Sequence, residues 1–299
     1  MEKIPLKGKT YDIVVNYKDD EKLRNSFNGL TRKTYGFDFE DWYQKGYWKD
    51  RYVPYSIVSG DAIVSNISVN IIDFLLCGVK RTTIQIGTVM TDMEYRDRGL
   101  NRALMERVLR DWRGKCDLIY LFANDSVLGF YPKFGFSSAK EYQHSKIVKS
   151  DQAESDCIRL NMSDETNTDF LFNRVNHSRH FSKFSMKDNA SLVMFYCTYF
   201  MNQQVYFIKK LDAIVIAEFT GSVLYINDIF SETEVSIDDI ILSMINRKIK
   251  RVVLGFTPED RSTFDEKLLQ QADTTLFVLD DKWGLFENKK IMFPVLSHA

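Results

Sequence analysis

The sequence lacks most of the features that announce a function by composition. Its four cysteines, Cys77, Cys116, Cys157 and Cys197, lie about 40 residues apart with no CxxC pair, and its four histidines form no HExxH. This leaves no ligand spacing for a structural zinc and no disulfide framework, so no metal and free, buried thiols are expected. GxGxxG and GxxxxGK[ST] are both missing, which argues against NAD and ATP. Nowhere do about 18 uncharged apolar residues run together. The opening "MEKIPLKGKTYDIVVNYKDDEKLRNSF" has no long apolar stretch, so neither a membrane span nor an export signal is expected, and a cytoplasmic protein is. Neither sign of charge prevails: 40 Lys and Arg stand against 41 Asp and Glu, a net charge of −1. No global field therefore argues for nucleic acid or an anionic membrane, although a local basic cluster can still hold a small anion.

What is present is an ordinary globular composition, 44% hydrophobic and 27% charged over 299 residues, enough for two domains. Residues 52–76 and 79–91 read as consecutive β-branched strands with turns at Ser59-Gly60-Asp61 and near Cys77-Gly78. From about 99 to 113, Leu100, Ala103, Leu104, Val108 and Trp112 recur at three- and four-residue steps and predict a helix with one apolar stripe. "CDLIYLFAN" reads as a buried strand and "SVLGFYPKFGF" as a short helix. The expected class is α/β with a mixed sheet.

The polar, aperiodic stretch at 148–165 marks a boundary, giving expected domains over 1–150 and 160–299. Beyond it, "LVMFYCTYF", "QVYFIKKL", "DAIVIAEFTG" and "SVLYINDIF" read as strands, residues 236–249 as a helix, and "RVVLGF" as the next strand, with "TLFVL" and "IMFPVL" closing the chain. This order repeats that of the first half and suggests an internal duplication.

The most informative stretch is "MTDMEYRDRGLNRALMERVL", residues 90–109. A strand ends at Thr91, a short turn carries Arg96 and Arg98, and a helix starts at Gly99. A helix N-terminus offers unpaired backbone N–H groups and the positive end of its dipole. Glycine permits close approach, and the arginines can pair with phosphate. A diphosphate lying across the helix start suits this pattern; a solvated basic helix start is the bland reading.

"YRDRGLNRALM" resembles the phosphate-binding motif R/Q-x-x-G-x-G/A of the GCN5-related N-acetyltransferase (GNAT) family. Arg96 stands at the R/Q place, Gly99 at the first glycine, and Asn101 where glycine or alanine is usual. "NDSVLGFYPKFGF" resembles the family's N-x-x-A-x-x-x-Y-x-x-x-GF segment through Asn124, Tyr131 and Gly135-Phe136, with Val127 in place of alanine. The resemblance covers residues 1 to 150. In the second half "FSETEVSIDDI" has neither arginine nor glycine and carries four acidic residues, as a degenerate copy that binds no CoA would. A competent GNAT domain followed by a degenerate one also resembles the Eis-type acetyltransferases, without their third domain.

The resemblance implies an acetyl-CoA-dependent N-acetyltransferase. It implies a cofactor site at Val89, Met90, Thr91, Arg96, Asp97, Arg98, Gly99, Leu100, Asn101 and Arg102, with Asn124 on the pantetheine arm. A backbone N–H near Val89 or Met90 would stabilise the oxyanion, and Tyr131 would protonate the leaving thiolate. The alternative for Tyr131 is a core ring beside Phe130, Phe134 and Phe136, and for Asn124 a helix cap. Where many relatives place a glutamate base, this sequence has Gln85; Asp92, Asp125 and His144 are neighbours that nothing singles out, and a water chain would also serve. Phe37, Trp42 and Trp48, interleaved with Asp38, Glu40 and Asp41, are candidates for a wall that receives a cationic small or peptidyl amine, or else for a core. His298 or the terminal carboxylate is a further candidate for the site. A non-catalytic acyl-CoA-binding or interaction protein is the alternative function, and a homo-oligomer stays open.

Overall fold

The computed structural model describes residues 2–149, 155–281 and 284–298. The chain runs β1 (Glu2–Leu6), β2 (Lys9–Val15), α1 (Glu21–Tyr35), α2 (Glu40–Gln44), β3 (Tyr52–Ser59), β4 (Ala62–Leu76), β5 (Val79–Thr91), α3 (Leu100–Trp112), β6 (Leu118–Ala123) and β7 (Ser137–Ser138). It continues through β8 (Tyr142–Ile147), β9 (Ile158–Arg159), α4 (Glu165–His177), β10 (Phe184–Lys187), α5 (Ala190–Phe195), β11 (Val205–Ile208), β12 (Ala213–Thr220) and β13 (Val223–Ser231). Last come α6 (Ile237–Met244), β14 (Arg251–Leu254), β15 (Asp265–Leu268), β16 (Thr275–Leu279) and α7 (Leu285–Asn288).

The described strands form two mixed sheets. The first has the order β1-β2-β3-β4-β5-β6-β16-β7, with β10 paired to the far end of β4; the second has β15-β8-β14-β13-β12-β11-β9. Each contains a parallel pair joined through a helix: β5 and β6 through α3, β13 and β14 through α6. This is the α/β architecture with mixed sheets that the sequence predicts.

Local sequence explains the helices of the first half. Asp20 caps α1 by accepting from the Leu23 N–H, and Gly36 ends it in a left-handed conformation with its N–H on the Arg32 carbonyl. In α3 the expected stripe is buried, with Leu100, Leu104, Met105, Val108 and Leu109 packed on β3, β4 and β5. The opposite face of that sheet carries a second core under α1, α2, α5 and the C-terminal segment, including Phe27, Phe39, Trp42, Trp48, Tyr52 and Phe195.

Four expectations need correction. "LVMFYCTYF" is α5 followed by a π-helical turn, Tyr196–Phe200, not a strand. It is apolar on several sides because it lies between layers, and an all-apolar run does not reveal its period. "IMFPVL" forms no strand; Pro294 cannot donate to a ladder and precedes a short turn at Val295–Ser297. "SVLGFYPKFGF" gives two separate 3₁₀ turns, Asp125–Val127 and Tyr131–Phe134, the second beginning at Tyr131-Pro132. Finally, "TLFVL" does not extend the second half: as β16 it lies between β6 and β7 in the first sheet.

The two sheets therefore do not divide at one point in the chain. β8, before residue 150, joins the second sheet beside β14 and β15, while β10 and β16 return to the first. Between them runs the C-terminal segment. Its Phe293 ring stacks on Tyr120 at 3.8 Å, and its backbone N–H groups at Met292, Phe293 and Val295 reach Thr257 Oγ1, Glu141 Oε1 and the Gly255 carbonyl. Gly255 is required there: a Cβ would lie 2.9 Å from Asn227 Cα and 3.0 Å from Val295. Among the described residues, no helix is long and apolar enough to cross a membrane; the cysteines are free thiols, but only Cys197 is buried as expected, Cys116 and Cys157 being half-buried and Cys77 exposed on its turn.

Candidate functional site

The site begins where β5 separates from β6. The parallel pairing ends at Ile86 with Leu121, yet β5 continues to Thr91 along β4. In the same stretch the β4–β5 register shifts between Asn66 and Ser68, so that Thr88 and Val89 have no cross-strand partner, and Thr88 takes a φ of +48°. This is a β-bulge next to an opening in the sheet. Side chains hold it: the Asn66 amide donates to the Thr88 carbonyl at 2.8 Å, the Tyr35 hydroxyl donates to the Val89 carbonyl at 2.8 Å, and Tyr52 and Thr88 share a hydroxyl bond of 2.9 Å. Sequence reasoning missed Thr88 and Tyr35. The available signal was Gly87, a glycine inside an otherwise β-branched strand, which often marks a bulge.

The predicted phosphate loop lies at the end of the same strand. Gly99 caps α3 at φ +82° and Asp97 has φ +59°, so the turn is made of left-handed residues. No side chain caps α3, which leaves its first-turn amides open. Arg96, Asp97, Gly99 and Arg102 are exposed around this opening. Arg98 lies over the Tyr95 ring at 4.7 Å and donates to the Glu94 carbonyl. Asn101 is otherwise engaged: its side-chain oxygen accepts from Ser65 Oγ at 2.6 Å and Thr91 Oγ1 at 2.9 Å, tying the helix start to β4 and β5. The counterpart α6 differs, with Ser236 accepting from the Asp239 N–H and Asp238 and Asp239 in the first turn. Both features satisfy a helix N-terminus from within.

Tyr131 stands on the α3 face. Its ring packs on Phe130, Phe136 and Phe277, and burial pushes its hydroxyl up to about 12. Desolvation also raises the Tyr35 hydroxyl to about 12, with Tyr131 close enough to add to the shift. Both phenols are protonated at neutral pH and stand beside the opening. Asn124 ends β6, is exposed and makes no side-chain cap, so the capping alternative is not realised.

On the opposite face the opening meets a pocket of about 300 Å³, lined by Phe37, Phe39, Trp42, Tyr52, Asn70, Thr88, Leu192, Phe195, Tyr196, Phe200 and His298. Phe37 and Trp42 thus belong to this wall, whereas Trp48 is absent from it and fills the core behind, its indole N–H on the Tyr52 carbonyl. The acids interleaved with them turn away. Glu40 bonds Arg24, Asn28 and Gln44, Asp38 pairs with Arg32, and Asp41 is exposed. Leu192, Phe195, Tyr196 and Phe200 carried no sequence signal, because they come from the segment expected to be a strand.

Of the neighbours considered as a base, His144 lies in β8 of the second sheet and Asp125 is exposed. Asp92 caps its own turn, and the Glu94 N–H, Lys33 and Arg96 hold its carboxyl below the usual range. The Gln85 amide is bound within the sheet to Asn70 and the Ile86 carbonyl. His298 does reach the pocket; the terminal carboxylate lies outside the described residues.

Residues 20–139 match a family model described as an acetyltransferase (GNAT) domain. No curated protein matches the chain. Among solved structures, a GCN5-related N-acetyltransferase from Kribbella flavida is 17% identical with a TM-score of 0.54, over 90% of this chain and 72% of that one. A protein of Enterococcus faecalis V583 described as a probable N-acyltransferase is 16% identical with a TM-score of 0.56, over 93% and 75%. Eis1 from Mycobacterium abscessus is 13% identical with a TM-score of 0.53, over 89% and 72%. Residues 20–139 are thus similar to a GNAT-type acetyltransferase domain, and across its length the chain shares the fold of these structures.

Proposed function

We propose that the protein is an N-acetyltransferase that moves the acetyl group of acetyl-CoA to a primary amine by direct attack. The observation that carries this reading is the opened, bulged end of β5 lying between an uncapped helix start and a pocket on the other face of the sheet. The diphosphate would lie on the amides of Gly99 to Arg102 with Arg96 and Arg98 at its flanks, while the pantetheine arm follows the opening past Asn124. The thioester would then lie at Thr88–Val89, where backbone N–H groups can stabilise an oxyanion; losing one such donor typically costs about 10²–10³ in rate. Tyr131, a protonated phenol, would supply the proton to the departing thiolate. Asn101 serves by holding the loop to the sheet. The second half acts as the scaffold that supplies the far wall of the acceptor pocket.

The test is a melting shift with acetyl-CoA, alongside NADH and ATP, followed by amine-dependent thiol release. A ligand at 100 times its dissociation constant stabilises the fold by about 2.7 kcal/mol. A shift with acetyl-CoA alone, abolished in Arg96→Glu/Arg98→Glu, and thiol release with an amine are expected. A shift without turnover on any amine would leave a protein that binds acyl-CoA without catalysis. No shift at millimolar acetyl-CoA would overturn the reading.

A further inference from the structure

The pocket beyond the bulge has an unusual balance. Eleven described residues line it, six of them Phe, Trp or Leu, and none of these carries a carboxylate or a cationic chain. The acids of the α1–α2 segment are committed to Arg24, Arg32 and their neighbours. The polar groups are mostly spoken for: Tyr52 and Thr88 bond each other, and the Asn70 amide donates to Gln85. The Tyr196 hydroxyl and His298 are the exceptions. Among the described residues, the His298 Nε2 is shielded from solvent and has no hydrogen-bond partner.

Position makes this nitrogen significant. The His298 ring stacks on Phe122 of β6 at 3.8 Å, while Thr88 of β5 lines the same pocket. The imidazole and the bulge thus flank the opening from its two strands, on the face away from α3 and Tyr131. The C-terminal segment is held there by the Tyr120 hydroxyl on the Ser297 carbonyl at 3.0 Å and by the Phe293 N–H on Glu141.

We infer that the acceptor is a primary amine borne on an apolar group, such as an arylalkyl amine, which seats its ring or chain in this pocket, and that His298 Nε2 takes the proton released by the attacking nitrogen. The inference rests on the acetyltransferase reading above. The amine lone pair forms the C–N bond as the thioester C–S bond breaks; the nitrogen's proton passes to His298, and the sulfur receives one from Tyr131. As amide and free thiol leave, water entering the vacated pocket removes the first proton and restores the second. Burial lowers His298 to about 4, opposed by a backbone contact with Phe293, so the ring is neutral with a free lone pair at working pH. Among the described lining residues a polycation finds no carboxylate to pair with, and desolvating its charges would be unfavourable.

The experiment compares kcat/KM for 2-phenylethylamine, methylamine and spermidine with acetyl-CoA, in the full chain and in His298→Ala. The wild type is expected to prefer 2-phenylethylamine over methylamine by roughly 10², with spermidine poorest. His298→Ala should retain the acetyl-CoA melting shift, lose about 10²-fold or more in kcat, and recover part of that loss when free imidazole is added. Recovery by imidazole separates proton transfer from a structural role. If acetyl-CoA binds and spermidine is the better substrate, the inference fails while the enzyme reading stands. If octanoyl-CoA is preferred over acetyl-CoA with methylamine as acceptor, the pocket holds the acyl chain and the inference is overturned. Failure of acetyl-CoA to bind would overturn both.

Discussion

Tyr131→Phe is the sharpest test of the proposed chemistry, because the structure predicts a large effect on rate and a small one on folding. The ring is enclosed by Phe130 at 5.3 Å, Phe277 at 5.7 Å and Phe136 at 6.2 Å between centroids, and phenylalanine would keep each of those contacts. Among the described residues the hydroxyl bonds to nothing, so the loss of stability should stay below about 1 kcal/mol, the scale of a single hydrogen bond. If the phenol protonates the thiolate, kcat should fall by about 10²–10⁴, equivalent to roughly 2.7–5.4 kcal/mol of barrier. The acetyl-CoA melting shift should be unchanged. With the phenol at about 12, the step that depends on it should be flat from neutral to mildly alkaline pH and fail only as that value is approached. Thiol release under saturating amine gives kcat, and thermal scans with and without acetyl-CoA give the rest. A variant within threefold of wild-type kcat would refute the role, and one that loses turnover only in step with its melting temperature would reduce Tyr131 to a packing residue.

Three further outcomes follow from the same geometry. Gly99→Ala meets no atom within 4 Å of its new Cβ, so its cost is that of a left-handed backbone, about 1–2 kcal/mol; denaturant unfolding should show this, with weaker acetyl-CoA binding from the methyl group on the loop. Asn101→Ala restores a residue usual in the motif but releases Ser65 and Thr91, so stability should drop by about 1–2 kcal/mol while the acetyl-CoA melting shift persists. Burial raises Glu141 to about 8 in the folded chain. The folded state therefore holds its proton more tightly than the unfolded one, so this contribution is complete below about pH 4.5 and is lost as pH rises to about 8. Glu141→Gln, which keeps an acceptor for the Phe293 N–H, should show a flatter stability profile over that window; identical profiles would show that the buried carboxyl does not govern it.

How much could be read from the sequence varies with the range of the interaction. The α3 stripe and the helix start at Gly99 are set by residues within a turn or two of each other, so periodicity and turn chemistry expose them. The turn proposed to hold the diphosphate was legible for the same reason, since its geometry is the local consequence of a strand end, a turn and a helix start. Asn101 looked like an imperfect match because its partners, Ser65 and Thr91, lie on β4 and β5 and are adjacent only once the sheet has formed.

The sequence by itself determined the α/β class with mixed sheets and the place of Arg96 and Gly99 between a strand end and a helix start. Only the tertiary structure decided that β8 and β16 lie in sheets away from their chain neighbours, and that the C-terminal segment runs between the sheets rather than forming a strand. It also decided the pocket, which draws Phe37 and Trp42 from one end of the chain, Phe195 and Phe200 from its middle, and His298 from the other. The physical reason is that hydrophobic burial is non-directional: a run of apolar residues records that it will be buried, while the partners that bury it are chosen by packing across the whole chain.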